Sequence, residues 1–161
     1  MNRRSLLSAL PSLALVATVT PSLRDAFAAP TLPKVEVYKT PTCGCCGAWV
    51  EHMRAAGFSL NVHDVGDTTA VRAKLGMPDR YGSCHSASVG GYVLEGHVPA
   101  DEVKRLLATR PQALGLAVPG MVPSSPGMDV PGRNDPYEVL LIDRQGGSRV
   151  FARYPKPAAK G

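Results

Sequence analysis

Val35-Glu36-Val37-Tyr38-Lys39-Thr40-Pro41-Thr42-Cys43-Gly44-Cys45-Cys46-Gly47-Ala48-Trp49-Val50 is the stretch that decides the fold. Val35 to Tyr38 alternate apolar with polar, the period of a half-buried strand, and Pro41 ends it. Cys46, Trp49, Val50 and Met53 then recur at i, i+3, i+4 and i+7, which predicts a helix over about residues 45–56 that buries this stripe and stops at Gly57. Further along, residues 58–65 read as a second strand and residues 68–75 as a short helix ending at Gly76. Residues 86–89 and 92–95 flank Gly90-Gly91, a pair that tolerates the positive φ angles of a two-residue hairpin turn, so these strands pair antiparallel. Pro99 suits a first helical position, Asp101 and Glu102 the positive end of the helix dipole, and Val103, Leu106 and Leu107 a buried stripe.

This order, β-α-β-α-β-β-α, predicts an α/β domain of thioredoxin-like type, a mixed sheet flanked by helices. Residues 115–136 hold five prolines and four glycines without a usable period, and read as a Pro/Gly/Met-rich loop long enough to have a function. Residues 137–143 and 148–154, joined through Gly146-Gly147, read as a C-terminal β-hairpin.

Ahead of the domain, Arg3 and Arg4 precede an apolar run from Leu6 to Val19, and Ala26-Phe27-Ala28 has the small-x-small form of a cleavage site. An export signal is expected over residues 1–28, with the thioredoxin-like domain over 29–154 and a flexible tail over 155–161. The run contains Pro11 and falls short of the roughly 20 residues that cross a bilayer, so no membrane attachment is expected after cleavage. Arg3-Arg4-Ser5-Leu6-Leu7 also resembles a twin-arginine signal. Export implies the periplasm, where unprotected cysteines tend to pair. Without the leader, 15 basic residues face 12 acidic ones, a net charge of +3. They form no basic stripe with interleaved aromatics, so a nucleic-acid partner is not expected.

Cys43 and Cys46 form a C-x-x-C pair at a predicted helix start, where free N–H groups and the helix dipole favour thiolate, the form that attacks disulfides and binds metals. Cys45 adds a third sulfur that cannot bridge conventionally to its neighbour Cys46, since adjacent Cα atoms stand about 3.8 Å apart and disulfides prefer roughly 4.4–6.8 Å. The fourth, in Ser83-Cys84-His85, falls in the loop that faces this turn in a thioredoxin-like topology, where thiol oxidoreductases hold a cis-proline. Two readings stand: a metal site of three sulfurs meeting Cys84 and His85, or two disulfides, for example Cys43 to Cys46 and Cys45 to Cys84.

Pro119-Gly120-Met121 and Pro126-Gly127-Met128 repeat at a spacing of seven. Beside a sulfur cluster, their thioethers suit Cu(I), a soft ion; zinc is the alternative that four thiolates alone would accept. His97 reads as a capping or packing residue, and His52 and His63 as surface residues. No Ser/His/Asp set, carboxylate pair or phosphate loop suggests a hydrolase or kinase.

Three segments carry a family resemblance over about residues 35–151: Tyr38-Lys39-Thr40-Pro41-Thr42-Cys43-Gly44-Cys45-Cys46, Ser83-Cys84-His85-Ser86-Ala87 and Gly91-Tyr92-Val93-Leu94-Glu95-Gly96-His97-Val98-Pro99. With the Pro-Gly-Met repeat, they resemble the small exported thioredoxin-like proteins associated with bacterial copper-resistance loci, which include the CopG proteins. The proline loop departs from that pattern in having Met121-Val122-Pro123 in place of a tighter Met-Pro step. The resemblance implies a periplasmic copper-homeostasis protein whose four cysteines bind Cu(I), with copper ions and other periplasmic copper-handling proteins as partners. The rival readings are a thiol or copper oxidoreductase and a zinc- or disulfide-stapled binding module.

Overall fold

The computed structural model describes residues 31–156. The export signal expected over residues 1–28 and most of the tail therefore lie outside the described residues. Strand β1 (Val35–Lys39) leads into α1 (Gly44–Ala55), followed by β2 (Leu60–Asp64) and α2 (Thr68–Lys74). A 3-10 turn at Asp79–Tyr81 precedes the hairpin β3 (His85–Val89) and β4 (Tyr92–Glu95). Then come α3 (Ala100–Thr109), β5 (Gly115–Ala117), β6 (Tyr137–Ile142) and β7 (Ser148–Tyr154). The strands form one mixed sheet in the order β2-β1-β3-β4-β5-β6-β7, parallel between β1 and β2 and between β4 and β5. The expected α/β architecture and the C-terminal hairpin are both present. None of the described helices is long and apolar enough to cross a membrane.

Two expectations are corrected. Residues 115–136 are not all loop: Gly115–Ala117 is the strand that joins β4 to β6. Three residues are too few for a period to show. Pro99 is the residue before the helix rather than its first, extended at φ −61° and ψ 139°. The ring presets φ for the entry, and the helix begins at Ala100.

Packing follows the side-chain alternation of the strands. On one face Val35, Val37, Ala87, Leu94 and Leu116 meet Trp49, Val50 and Met53 of α1 and Val103 and Leu106 of α3. The neighbouring positions Val93, Ala117 and Ile142 turn to the other face and pack on Met77 and Tyr81, just beyond α2. The buried indole of Trp49 donates to the Val98 carbonyl at 2.9 Å, tying α1 to the segment that enters α3. Gly90 and Gly91 have φ of +55° and +85°, the two-residue turn that sets the β3/β4 register, with Val89 opposite Tyr92 and Ser86 opposite Glu95.

Candidate metal centre

Two chain reversals meet at the end of the sheet. Cys43 precedes the first residue of α1, and its carbonyl accepts from Gly47 N–H at 3.2 Å, so the turn of the helix carries Cys45 and Cys46 beneath it. Cys84 ends the loop that enters β3. All four sulfurs lie within 4.8 Å of one another. Cys43 and Cys46 are joined in a disulfide with Cα atoms 5.3 Å apart, while Cys45 and Cys84 are free. Cys45 Sγ stands 3.5 Å from Cys43 Sγ and 3.9 Å from Cys84 Sγ, which makes it the link between the helix turn and the facing loop.

Histidines close the far side of Cys84. His85 Nδ1 lies 3.4 Å from Cys84 Sγ, and its Nε2 is buried with no hydrogen-bond partner among the described residues. His97 is packed as expected, fully buried and edge-on to His85, and in addition its Nε2 stands 3.1 Å from Cys84 Sγ. Its Nδ1 lies 2.8 Å from the Pro126 carbonyl, which can only accept, so Nδ1 carries the proton and the Nε2 lone pair faces the sulfur. Metal-ligating imidazoles are commonly oriented in this way. His97 was within reach of the sequence. Extending the register through Gly90-Gly91 by two positions places residue 97 opposite residue 84. His52 is not a free surface residue, since its Nε2 accepts from the N–H of Ala100 at 3.0 Å. His63 is solvent-exposed on β2, where it pairs with Glu36.

Burial dominates the electrostatics. It pushes the Cys84 thiol up to about 11, with the neighbouring Cys45 adding to the rise. It pulls His85 down to about 3, reinforced by His97, and it also lowers His97. Both imidazoles are therefore neutral near pH 7, with lone pairs available. Two free thiols and two neutral imidazoles, joined by the Cys43 and Cys46 sulfurs once their disulfide is opened, form a soft donor set, which suits a thiophilic ion over a hard one.

The Pro-Gly-Met segment straps both halves of the site. At the first repeat, Gly120 N–H donates to the Gly82 carbonyl and Ser83 Oγ donates to the Gly120 carbonyl. At the second, Gly127 lies on the first turns of α1. A Cβ there would stand 2.7 Å from Trp49 N and 2.9 Å from the Cys45 carbonyl, and φ is +82°. Met121 is exposed and Met128 half-buried. Gly127→Ala is expected to lift the strap from α1 and to lower stability by about 1–3 kcal/mol, through backbone contact and a strained φ. A urea unfolding midpoint equal to that of the parent would show that the strap does not rest there.

Residues 81–128 match the family described as "Protein of unknown function, DUF411", a span that takes in the Cys84 loop, the β3/β4 hairpin and both Pro-Gly-Met repeats. No curated protein matches the chain. Two solved structures, "Copper resistance protein copG- Form 2" and "Form 1", each match at 40% identity and a TM-score of 0.73. Each alignment covers 77% of this chain, and 99% and 98% of those chains respectively. At that identity, over nearly the full length of those proteins, the chain belongs to the family of the copper resistance protein CopG.

Proposed function

We propose that this protein binds copper as Cu(I) through Cys43, Cys45, Cys46 and Cys84, and serves copper homeostasis in the periplasm. The observation that carries the reading is the convergence of four sulfurs within 4.8 Å from segments about forty residues apart. Thiolates select soft ions, and family membership favours copper among them. His85, Met121 and Met128 are proposed as additional ligands, and His97 joins them on the geometry of its Nε2. Residues 1–28 would direct export, by the twin-arginine route if Arg3 and Arg4 are read, and residues 29–154 would be the binding domain. Other periplasmic copper-handling proteins are the proposed partners.

Four-sulfur binding requires the Cys43–Cys46 bond to be opened, which takes two electrons and two protons from a thiol reductant. Cu(I) then displaces thiol protons as it binds. Reduced protein challenged anaerobically with Cu(I) and Zn(II) together is expected to retain copper, with all four thiols becoming unreactive. The disulfide form is expected to retain far less. Preferential zinc retention, or four reactive thiols with copper bound, would overturn the assignment.

A second reading has its own observation. A Cys-x-x-Cys disulfide at the start of a helix, with Cα atoms 5.3 Å apart, is also the arrangement of a dithiol oxidoreductase. The Cys45 substitution discussed below separates the two.

A further inference from the structure

We propose that the buried Arg72–Glu95 ion pair is a positioning device that holds the Cys84 sulfur across from the α1 turn. The proposal rests on the four-sulfur reading, though its geometry can be tested without metal.

Arg72 comes from α2 and Glu95 from the last position of β4, and they are 6% and 0% exposed. Arg72 Nε donates to Glu95 Oε1 at 2.9 Å. The same oxygen accepts the Ser83 N–H at 2.7 Å, and Arg72 Nη2 donates to the Ser83 carbonyl at 3.0 Å. One carboxylate and one guanidinium thus grip both backbone polar groups of the residue before Cys84. The other carboxylate oxygen accepts the Ser86 hydroxyl at 2.6 Å, fixing the chain beyond His85. The loop fits closely against this pair. A Cβ on Gly82 would stand 2.9 Å from the Arg72 guanidinium carbon, and one on Gly96 would stand 2.5 Å from Ser83 Oγ.

Stability alone does not account for the pair. Removing two charges from water offsets most of their attraction, and buried ion pairs are often replaceable by apolar residues without loss. Apolar residues cannot supply an acceptor for Ser83 N–H, a donor for its carbonyl and an acceptor for Ser86. Arg72 Nη1 also reaches Asp79, but that carboxylate is 76% exposed, so Glu95 is the deep partner.

The test sets stability against position. In Glu95→Gln the amide oxygen can still accept from Ser83 and Arg72 while the NH₂ turns to Ser86, so the contacts survive, but Arg72 loses its buried counter-charge. Arg72→Met with Glu95→Leu leaves no buried charge and no group that reaches Ser83. The Gln variant is expected to melt lower than the parent yet bind Cu(I) within about threefold of it, its hydrogen bonds being retained. The double variant is expected to melt no lower than the Gln variant yet bind about 10–100-fold more weakly, as loss of groups that orient ligands does. Arg72→Lys keeps the charge balance but lacks the fork that reaches both Glu95 and Ser83. It serves if the double variant does not fold, with about tenfold weaker binding expected.

A second readout uses metal-free protein carrying Cys43→Ser and Cys46→Ser. Added diamide takes two electrons and two protons from Cys45 and Cys84 and leaves them as a disulfide. The rate measures how well the loop holds the sulfurs together. It should be near the parent rate with Glu95→Gln, and about tenfold or more slower with the double variant or Arg72→Lys, if closure depends on the clamp. Equal rates and equal Cu(I) affinities in all variants would overturn the clamp, as would losses that track melting temperature. A parent that takes up no Cu(I) would overturn the copper reading and leave the cross-linking rate to decide the clamp.

Discussion

Gly115→Ala is expected to remove most of the protein's stability, although it adds one methyl group outside the cysteine cluster. Gly115 opens β5 and pairs in parallel with Val93 of β4. A Cβ there would overlap the Val93 carbonyl oxygen and stand 2.6 Å and 2.7 Å from its carbon and nitrogen. These are backbone atoms of a central strand, so no rotamer change relieves the contact. The two strands must separate where only three residues pair. In the sheet order, β5 alone joins the β6/β7 hairpin to the remaining strands, so parting it from β4 also strips Leu116 and Val139 from their partners in the main core. Overpacking of a core costs about 1–3 kcal/mol, and separating a central ladder belongs to the larger class of about 4–5 kcal/mol or more. That approaches the whole stability of a typical domain, about 5–15 kcal/mol. Thermal unfolding followed by circular dichroism should show a fall of about 10 °C or more, or no cooperative transition. A melting temperature within a few degrees of the parent would show that β4 and β5 do not approach so closely.

The strand that makes this substitution so costly is also the one that periodicity does not reveal. Val35 to Tyr38 and the Cys46, Trp49, Val50, Met53 stripe repeat over enough residues to distinguish strand from helix, and the two β3/β4 strands are announced by Gly90-Gly91 between them. Gly115-Leu116-Ala117 carries neither signal. It is held by neighbours distant in sequence, and its glycine is required by the close approach of another backbone, which is visible only once β4 is in place.

The site divides in the same way. The Cys43-Gly44-Cys45-Cys46 cluster is legible because its sulfurs are local, and Cys84 follows from topology once the strand order is read. His97 follows from a register that can be counted on paper. The roles of Arg72 and Glu95 cannot be counted, since α2 sits over β1 and β3 only through packing and the Arg72 side chain reaches on to Glu95. A charged residue in a short helix ordinarily reads as solvent-facing, yet Arg72 is buried against Glu95, itself flanked in sequence by Leu94 and Gly96.

Cys45→Ser is expected to weaken Cu(I) retention by about 100-fold or more, since loss of merely orienting groups already costs 10–100-fold in metal sites. Its sulfur is the one that spans the gap, 3.5 Å from Cys43 on one side and 3.9 Å from Cys84 on the other. Without it three sulfurs remain within 4.8 Å of one another, but no sulfur stands between the Cys43/Cys46 pair and Cys84. Serine replaces a soft, polarisable donor with a hard oxygen that Cu(I) disfavours. The same change leaves the Cys43–Cys46 disulfide with its Cα separation of 5.3 Å, so a dithiol enzyme would survive it. Competition against a chromophoric Cu(I) chelator, run beside an insulin-reduction assay on parent and variant, separates the two chemistries. Lost copper affinity with negligible insulin reduction in both proteins supports the copper site. A variant that retains copper like the parent and reduces insulin as a thioredoxin does would make the exchangeable disulfide the functional centre, with Cys45 and Cys84 its accompanying thiols.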